Sequence, residues 1–160
     1  MGEKIALVTD SLSDLIPEIV EKYKVTVVPI SIHFGSESFK DRVDITDEEF
    51  FERLKTSDVM PKTSQPTPND FEKVYKELLE ENDHVISLHI SNKLSGTVQS
   101  AFMARQDFPE EQQGRIHVID TLTGAMGEGL IVNAAGESIE KGSMVDEVLS
   151  RIKRAIDTSG

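Results

Sequence analysis

Hydroxyl side chains cluster in two segments that each stand directly before a helical pattern. Residues 62–68 read Lys-Thr-Ser-Gln-Pro-Thr-Pro, and residues 91–97 read Ser-Asn-Lys-Leu-Ser-Gly-Thr. The first turn of a helix has unpaired N–H groups, and the helix dipole places positive charge there. An N-cap needs only one side-chain oxygen, so the additional hydroxyls indicate a second use. The two segments therefore predict a binding site for a carboxylate or a phosphate.

The charge of the chain restricts what else it can bind. The 160 residues include 29 acidic and 17 basic side chains, which gives a net charge of -12. A field of this sign repels nucleic acids and anionic membranes, so an anionic ligand must be captured by local contacts. No cysteine is present, and the sequence contains no apolar run near the ~20 residues of a membrane-spanning helix. The start of the chain does not resemble a signal peptide, so we expect a cytoplasmic protein without membrane insertion.

Strand patterns alternate with helix patterns along the chain. Four apolar runs predict strands at residues 5–9, 25–32, 84–90 and 115–120. Helical patterns cover residues 17–22, 46–56, 67–81, 97–106, 130–141 and 145–156. This order predicts an α/β fold, an open and mainly parallel sheet of about four strands with helices on both faces. Pro29 cannot donate to a strand ladder, so the second strand is expected at an edge.

The ends of these strands predict where a ligand binds. In open parallel sheets, ligands bind outside the carboxyl ends of the strands. The pairs Asp10-Ser11 and Asp120-Thr121, together with residues 91–95, directly follow predicted strands. We therefore expect these residues to meet at one edge of the sheet, with Asp10 and Ser11 as possible supports of the site.

Nucleotide and cofactor chemistry lacks its usual motifs. A P-loop requires a glycine-rich turn that ends in Lys and Ser or Thr, and the sequence has no such string. Gly124, Gly127 and Gly129 follow the fourth strand pattern, but their spacing does not match a dinucleotide-binding turn. We therefore expect no cofactor.

Side chains for other catalytic or metal chemistry are not suitably spaced. Asp10 ends the first strand pattern, as a phosphoryl-accepting nucleophile would, but Leu12 cannot serve as the acid or base of such a transfer. The histidines at positions 33, 84, 89 and 117 form no close pair on a helix face. We expect Asp10 to orient the nearby turns, the histidines in strands to be structural, and no metal site.

Four motifs resemble the DegV family in order and spacing. They are Asp10-Ser11, residues 63–67, residues 94–97 with Gln99-Ser100-Ala101, and residues 118–120 followed by 126–129. The resemblance runs from about residue 5 to 156 and implies that residues 1–160 form the amino-terminal domain, with the family's carboxy-terminal domain absent from this chain. It also implies a non-catalytic fatty-acid-binding protein, the acyl-carrier subunit of a bacterial fatty-acid kinase, with a separate ATP-using protein as partner.

The resemblance assigns roles to particular residues. Thr63 and Ser95 would bind the carboxylate of the fatty acid, with Ser64 and the N–H groups of Ser95 and Gly96 in support. Apolar side chains near these motifs are candidate walls for the acyl tail, although packing in the core is the commoner role for such residues. They are Ile30, Ile32, Phe102, Met103 and Met126.

Two other functions are compatible with the residues alone. One is an enzyme that acts on a small phosphorylated or carboxylated metabolite at the same strand edge. The other is an interaction domain in which the hydroxyl segments are only helix caps. The last helical pattern has one apolar face, formed by Val145, Val148, Leu149, Ile152 and Ile156, and a homodimer through this face is a further possibility if nothing covers it.

Overall fold

The structure, a computed structural model, describes residues 2–159 and forms seven strands and seven helices over that range. The strands are β1 (Ile5–Asp10), β2 (Thr26–Val28), β3 (Ser31–Phe34), β4 (Glu37–Lys40), β5 (Lys62–Ser64), β6 (His84–His89) and β7 (Ile116–Asp120). The helices are α1 (Pro17–Lys22), α2 (Asp47–Thr56), α3 (Pro68–Glu81), α4 (Thr97–Gln106), α5 (Glu110–Gln113), α6 (Ala125–Glu140) and α7 (Val145–Ser159).

The main sheet has four parallel strands in the order β2-β1-β6-β7. The central strands β1 and β6 are mostly apolar and buried, with Val8, Val85, Ile86 and Leu88 at 0 % exposure. Burial on both faces explains why these strands read as continuous apolar runs. The predicted parallel α/β sheet of four strands is confirmed, and β2 lies at its edge as Pro29 indicated.

Helices cover both faces of this sheet, as predicted. On one face, α6 and α7 enclose a core that includes Leu7, Ile86 and Ile131. On the other face, α3 and α4 enclose a core with Val8, Phe71 and Ala101. Because successive strand residues point to opposite faces, Leu7 and Val8 enter different cores.

The apolar face of α7 lies against α6 and the sheet. Val145, Val148 and Ile152 are buried in the first core, and Leu149 and Ile156 pack against it. The possibility that this face is uncovered is therefore wrong. A homodimer through this face loses its physical basis, because the apolar side chains that would form it are already covered.

A second, antiparallel sheet was not predicted. Its order is β4-β3-β5, with Ile32 opposite Phe39 on one side and Thr63 on the other. The single strand predicted over residues 25–32 is wrong, because the run divides at Pro29 into β2 of the main sheet and β3 of the small sheet. Thr63 and Ser64 lie in strand β5 rather than in a turn.

Side chains around the small sheet hold it together. Ile32, Phe34 and Ile45 form its buried cluster, and Phe39 and Phe50 pack on them. Apolar burial on one face gives the short strands a stability that two strands alone would lack. The cluster therefore fixes the position of β5, the strand that carries the first hydroxyl segment.

Two helix starts follow the predicted capping chemistry. Thr46 and Glu49 form a reciprocal capping box at α2, and Thr67 and Asp70 form another at α3. Two other boundaries differ, because α6 begins at Ala125 rather than near residue 130 and α7 continues to Ser159. Met1 and Gly160, the ends of the predicted domain, lie outside the described residues. No helix within residues 2–159 has the length and apolar character needed to cross a membrane.

Gly136 allows α6 to pack against the ring of Tyr23. A Cβ atom on Gly136 would lie 2.8 Å from Cε2 of that ring and closer still to two other ring atoms. We expect Gly136→Ala to lower the free energy of unfolding by about 2–3 kcal/mol, because the packed ring cannot move aside without strain. Urea unfolding measures the effect. Gly114→Ala is the matched control, because its Cβ would meet only an ordinary contact at 3.7 Å; an equal loss in both variants would contradict the steric explanation.

Candidate anion-binding site

Three loops meet at the carboxyl edge of the main sheet. The loop after β6 contacts the loop after β7, since Ser91 N–H donates to Thr123 O at 2.9 Å and Asn92 N–H donates to Asp120 Oδ2 at 3.2 Å. The loop after β1 reaches the start of α6, where Asp14 N–H donates to Ala125 O at 3.2 Å. The edge predicted from the sequence therefore forms one continuous surface.

The start of α4 carries the second hydroxyl segment. Ser95 Oγ is 2.8 Å from Thr97 Oγ1 and accepts a hydrogen bond from Thr97 N–H at 3.3 Å. Gly96 occupies the N-cap position without a side-chain bond, so Ser95 is not an ordinary N-cap. Ser95 is half-buried, and its hydroxyl faces the region where the first turn of α4 begins.

Backbone donors at this helix start divide into used and free groups. The Ser95 N–H donates to Ser91 O at 3.2 Å. The expectation that this N–H is free to bind a ligand is therefore wrong. Within the described chain, no hydrogen bond engages the N–H groups of Gly96 and Val98. These two donors, at the positive end of the α4 dipole, are available to an anion.

The two hydroxyls of β5 have different environments. Ser64 Oγ is 2.9 Å from His33 Nε2, and His33 Nδ1 is 2.7 Å from Ser38 Oγ, so a polar bridge crosses all three strands of the small sheet. Thr63 is exposed, and its hydroxyl makes no hydrogen bond within residues 2–159. The structure thus leaves Thr63 free and holds Ser64 in place through His33.

Gln65 brings the two hydroxyl segments together. A Cβ atom on Gly96 would lie 2.8 Å from Gln65 Nε2, so the amide of Gln65 lies directly against the turn that begins α4. Glycine at position 96 permits this approach. The amide adds a side-chain donor that the sequence interpretation did not single out, and only the folded chain places it beside Gly96.

Asp10 and Ser11 lie beneath the surface rather than on it. Asp10 is fully buried, and its Oδ1 accepts from Leu12 N–H at 3.0 Å, which agrees with the predicted role in orienting the turn. Ser11 Oγ accepts from Ile30 N–H at 3.0 Å and so ties the end of β1 to the chain entering β3. Both side chains hold the backbone in place beneath the candidate site.

A chain of hydrogen bonds extends inward from Asp10. Asp10 Oδ2 is 2.9 Å from His89 Nδ1, His89 Nε2 is 2.5 Å from Ser87 Oγ, and Tyr75 donates to Ser87 Oγ at 2.7 Å. Ser87 has one proton, which must go to His89 because Tyr75 already donates to Ser87. His89 Nδ1–H then donates to Asp10 Oδ2. His89 is structural, as predicted, but its partner Asp10 was not anticipated.

Glu128 completes this buried cluster from α6. Thr9 Oγ1 is 2.8 Å from Leu88 O and 2.9 Å from Glu128 Oε2. A carbonyl oxygen only accepts, so Thr9 donates to Leu88 and a protonated Glu128 donates to Thr9. Burial raises the pKa of Glu128 to about 10, and the nearby Asp10 carboxylate adds to the rise. Burial alone would raise the pKa of Asp10, but its bonds to His89 and Leu12 hold that pKa below the usual value.

Asp10, His89 and Glu128 are also a possible set of metal ligands. One ligand atom from each lies within 4.8 Å of the others, and all three side chains are buried. Both ring nitrogens of His89 are engaged in hydrogen bonds, and Glu128 holds a proton. A cation requires free lone pairs and ionised carboxylates, so the arrangement fits a proton-sharing cluster better than a preformed metal site.

Large apolar side chains are exposed in the loops after β6 and β7 and on helices α4 and α6. They are Leu94, Phe102, Met103, Leu122, Met126 and Leu130. Among the expected wall residues, Phe102, Met103 and Met126 belong to this exposed group. Ile30 and Ile32 are buried instead, and Ile32 forms part of the small-sheet core.

The fold defines a class of protein, a parallel α/β domain, and its carboxyl edge carries a hydroxyl-lined candidate site. A family model described as "uncharacterised protein, DegV family" matches residues 4–159, and the chain belongs to the DegV family. A DegV domain-containing protein of Clostridium perfringens is 41% identical over 150 residues, which cover 94% of this chain and 53% of that protein.

Two solved structures share this fold. A DegV family protein from Thermus thermophilus, described by its fatty-acid binding, is 44% identical with a TM-score of 0.85. The match covers 96% of this chain and 54% of that protein. A stearic-acid-binding protein from Eubacterium ventriosum has 30% identity and a TM-score of 0.83, with 93% of this chain covering 52% of it. The chain spans about half the length of these relatives and corresponds to their amino-terminal part.

Proposed function

We propose that this protein binds a long-chain fatty acid through its carboxylate and presents it to a separate kinase for phosphorylation. The observation that carries the proposal is the contact of Gln65 with Gly96, which brings the Thr63 segment to the free donors at the start of α4. The fatty acids named for the Thermus thermophilus and Eubacterium ventriosum proteins support the choice of ligand.

The donors suit a carboxylate. Hydrogen bonds to a charged group contribute about 1.5–3 kcal/mol each, and hydroxyls with a helix start supply them without a buried lysine. In this proposal, Thr63 and Ser95 donate from their hydroxyls and Gly96 from its N–H. Ser64, Asp10 and Ser11 support the site by holding β5 and the end of β1 in place.

The acyl tail requires an apolar environment. Each buried methylene contributes about 0.8 kcal/mol, so a long chain gains more from burial than the headgroup gains from its hydrogen bonds. The exposed Phe102, Met103 and Met126 are the side chains that we assign to this contact. We also propose that residues 2–159 act as the amino-terminal domain of the family and that the remaining half of a full-length relative encloses the ligand further.

Transfer to a kinase rests on the motif resemblance alone. In this proposal the chain is a carrier without catalytic residues or cofactor, located in the cytoplasm where ATP is available to its partner. No observation favours an enzyme at the same strand edge, and the Asp10 carboxylate there is fully buried and bonded to His89.

Substitution of the two hydroxyls tests the binding site. We expect Thr63→Ala and Ser95→Ala each to weaken the binding of a long-chain fatty acid at least tenfold, because each removes a hydrogen bond to a charged group. Titration calorimetry with stearate measures the affinity. Thr63→Ser and Ser95→Thr keep the hydroxyls and serve as conservative controls. Unchanged affinity in both alanine variants would reject the site.

Extraction of the purified protein tests the ligand class. Mass spectrometry of an organic extract is expected to detect a fatty acid near one equivalent per chain. An empty protein that also fails to bind added stearate would direct the same measurement to a full-length relative. Failure there as well would reject fatty-acid binding through this site.

A further inference from the structure

Two histidines meet at the amino end of the main sheet, opposite the candidate anion-binding site. His84 begins β6 and His117 lies near the start of β7, and His84 Nδ1 is 3.1 Å from His117 Nε2. Their spacing along the chain predicts no close pair on one helix face. The parallel pairing of β6 with β7 creates this pair across two strands instead.

We propose that His84 and His117 form a binding site for a divalent transition-metal cation, with Zn²⁺ as the cation bound. Imidazole nitrogen is a preferred donor for Zn²⁺, at about 2.0–2.1 Å. Two such bonds in a tetrahedral site place the nitrogens about 3.3 Å apart. The observed separation of 3.1 Å therefore needs only a small opening of the pair to admit the cation.

Glu3 orients the first of these ligands. His84 Nε2 is 2.8 Å from Glu3 Oε2, so this nitrogen carries the proton and Nδ1 presents its lone pair toward His117. A carboxylate on the far nitrogen is the usual companion of a metal-binding histidine, because it fixes the tautomer and raises the basicity of the ring. Glu3 is itself held by Val145 N–H, which donates to Oε1 at 2.8 Å.

His117 is suited to the second ligand position. Without a cation, His117 Nε2–H donates to His84 Nδ1. When a cation binds, the proton of the His117 ring moves to its own Nδ1, and Nε2 binds the metal. The ring therefore releases no proton on binding.

The charges around the pair favour a cation. Glu3 and Asp146 face it with negative charge, and Arg105 faces it with positive charge. Among the described residues, no third histidine or carboxylate atom lies within 4.8 Å of both nitrogens, so in this proposal water completes the coordination shell. His84 is 17 % exposed, so the pair can be reached from solvent.

Zinc titration of the whole chain tests this site. Calorimetry at pH 7.5 with ZnCl₂ is expected to find one saturable site, with affinity at least tenfold lower in His117→Gln and in His84→Gln. His33→Gln is the matched control, because His33 bonds only to serines of the small sheet. The absence of a saturable site, or equal affinity in wild type and His117→Gln, would overturn the proposal.

Nuclear magnetic resonance provides a test that needs no variant. Zinc is expected to shift the ¹⁵N resonances of His84 Nδ1 and His117 Nε2 and to leave those of His89 unchanged. A shift confined to His89 would place the cation in the buried Asp10 cluster instead and would also overturn the proposal. Neither result depends on fatty-acid binding, because the two sites lie at opposite ends of the sheet.

Discussion

Asp10→Ala is expected to lower the free energy of unfolding by about 3–5 kcal/mol. The substitution leaves His89 Nδ1–H without an acceptor in a fully buried position and removes the acceptor of the partly buried Leu12 N–H. Whole domains are stable by about 5–15 kcal/mol, so the loss is a large part of the total. Urea unfolding followed by circular dichroism measures it, and a loss below about 1 kcal/mol would show that water or a rearranged side chain replaces the carboxylate.

Asp10→Asn tests whether the buried hydrogen bonds act as one directed chain. Asparagine still accepts from Leu12, but its NH₂ group must donate to His89, which reverses every later bond. His89 Nε2–H then donates to Ser87, Ser87 donates to Tyr75, and the Tyr75 proton has no acceptor. This variant therefore keeps the shape of the Asp10 side chain, and the proton left without an acceptor is that of Tyr75, at the other end of the series of hydrogen bonds.

A double-mutant cycle with Tyr75 separates this explanation from a purely local effect. In the wild-type protein, Tyr75→Phe removes one good hydrogen bond and is expected to cost about 1 kcal/mol. In the Asp10→Asn background it removes an unsatisfied proton and is expected to cost nothing. An equal loss of unfolding free energy in both backgrounds would show that the direction of these hydrogen bonds does not reverse.

Strand pattern and capping chemistry predict the main sheet well. The runs in β1 and β6 are apolar because both faces are buried, and the capping boxes at Thr46 and Thr67 place two helix starts within a residue. Each of these signals is local. The fold class needs no more than their order along the chain.

The small sheet could not be predicted, because its strands depend on distant partners. Lys62–Ser64 has no apolar alternation, and it becomes strand β5 only by pairing with β3, which lies far earlier in the chain. The break at Pro29 is also hidden, because the residues on each side of it continue the same apolar run. Tertiary pairing overrides local preference at both places.

The sequence predicts the segments that form the candidate site, but not the contacts between them. Hydroxyl segments and their helix starts are visible in the sequence, but the contact of Gln65 with Gly96 is not. Asp10 and His89 are 79 residues apart, and they meet because the register of β1 and β6 places Thr9 beside Leu88. Glu128 lies between two glycines that resemble a loop, so its burial could be known only from the packing of α6.

Glu128 is expected to make the stability of the protein fall as the pH rises. In the unfolded chain this carboxyl ionises near the ordinary glutamate pKa of 4.5, whereas burial raises its pKa in the folded protein to about 10. Between these values the folded state holds one more proton than the unfolded state. The free energy of unfolding therefore decreases by about 1.4 kcal/mol per pH unit, so the contribution is complete below the unfolded pKa and is lost as the pH approaches the folded pKa.

Glu128→Gln isolates this contribution, because the amide is neutral at every pH. Urea unfolding at pH 7, 8 and 9 is expected to show the variant gaining on the wild-type protein by about 1.4 kcal/mol per unit. Asp10 and His117 have lowered pKa values, and Tyr75 has a raised pKa, so these groups change charge outside this range.

Glu137→Gln is the matched control, since Glu137 lies on the same helix toward solvent and should leave the profile parallel to that of the wild type. Parallel profiles for Glu128→Gln as well would mean that Glu128 is ionised in the folded protein. Its bond to Thr9 would then need a different donor. The expected gain of Glu128→Gln over the wild type would instead show that Glu128 stays protonated in the folded protein across this pH range. Its proton then prevents repulsion between two buried carboxylates, Asp10 and Glu128.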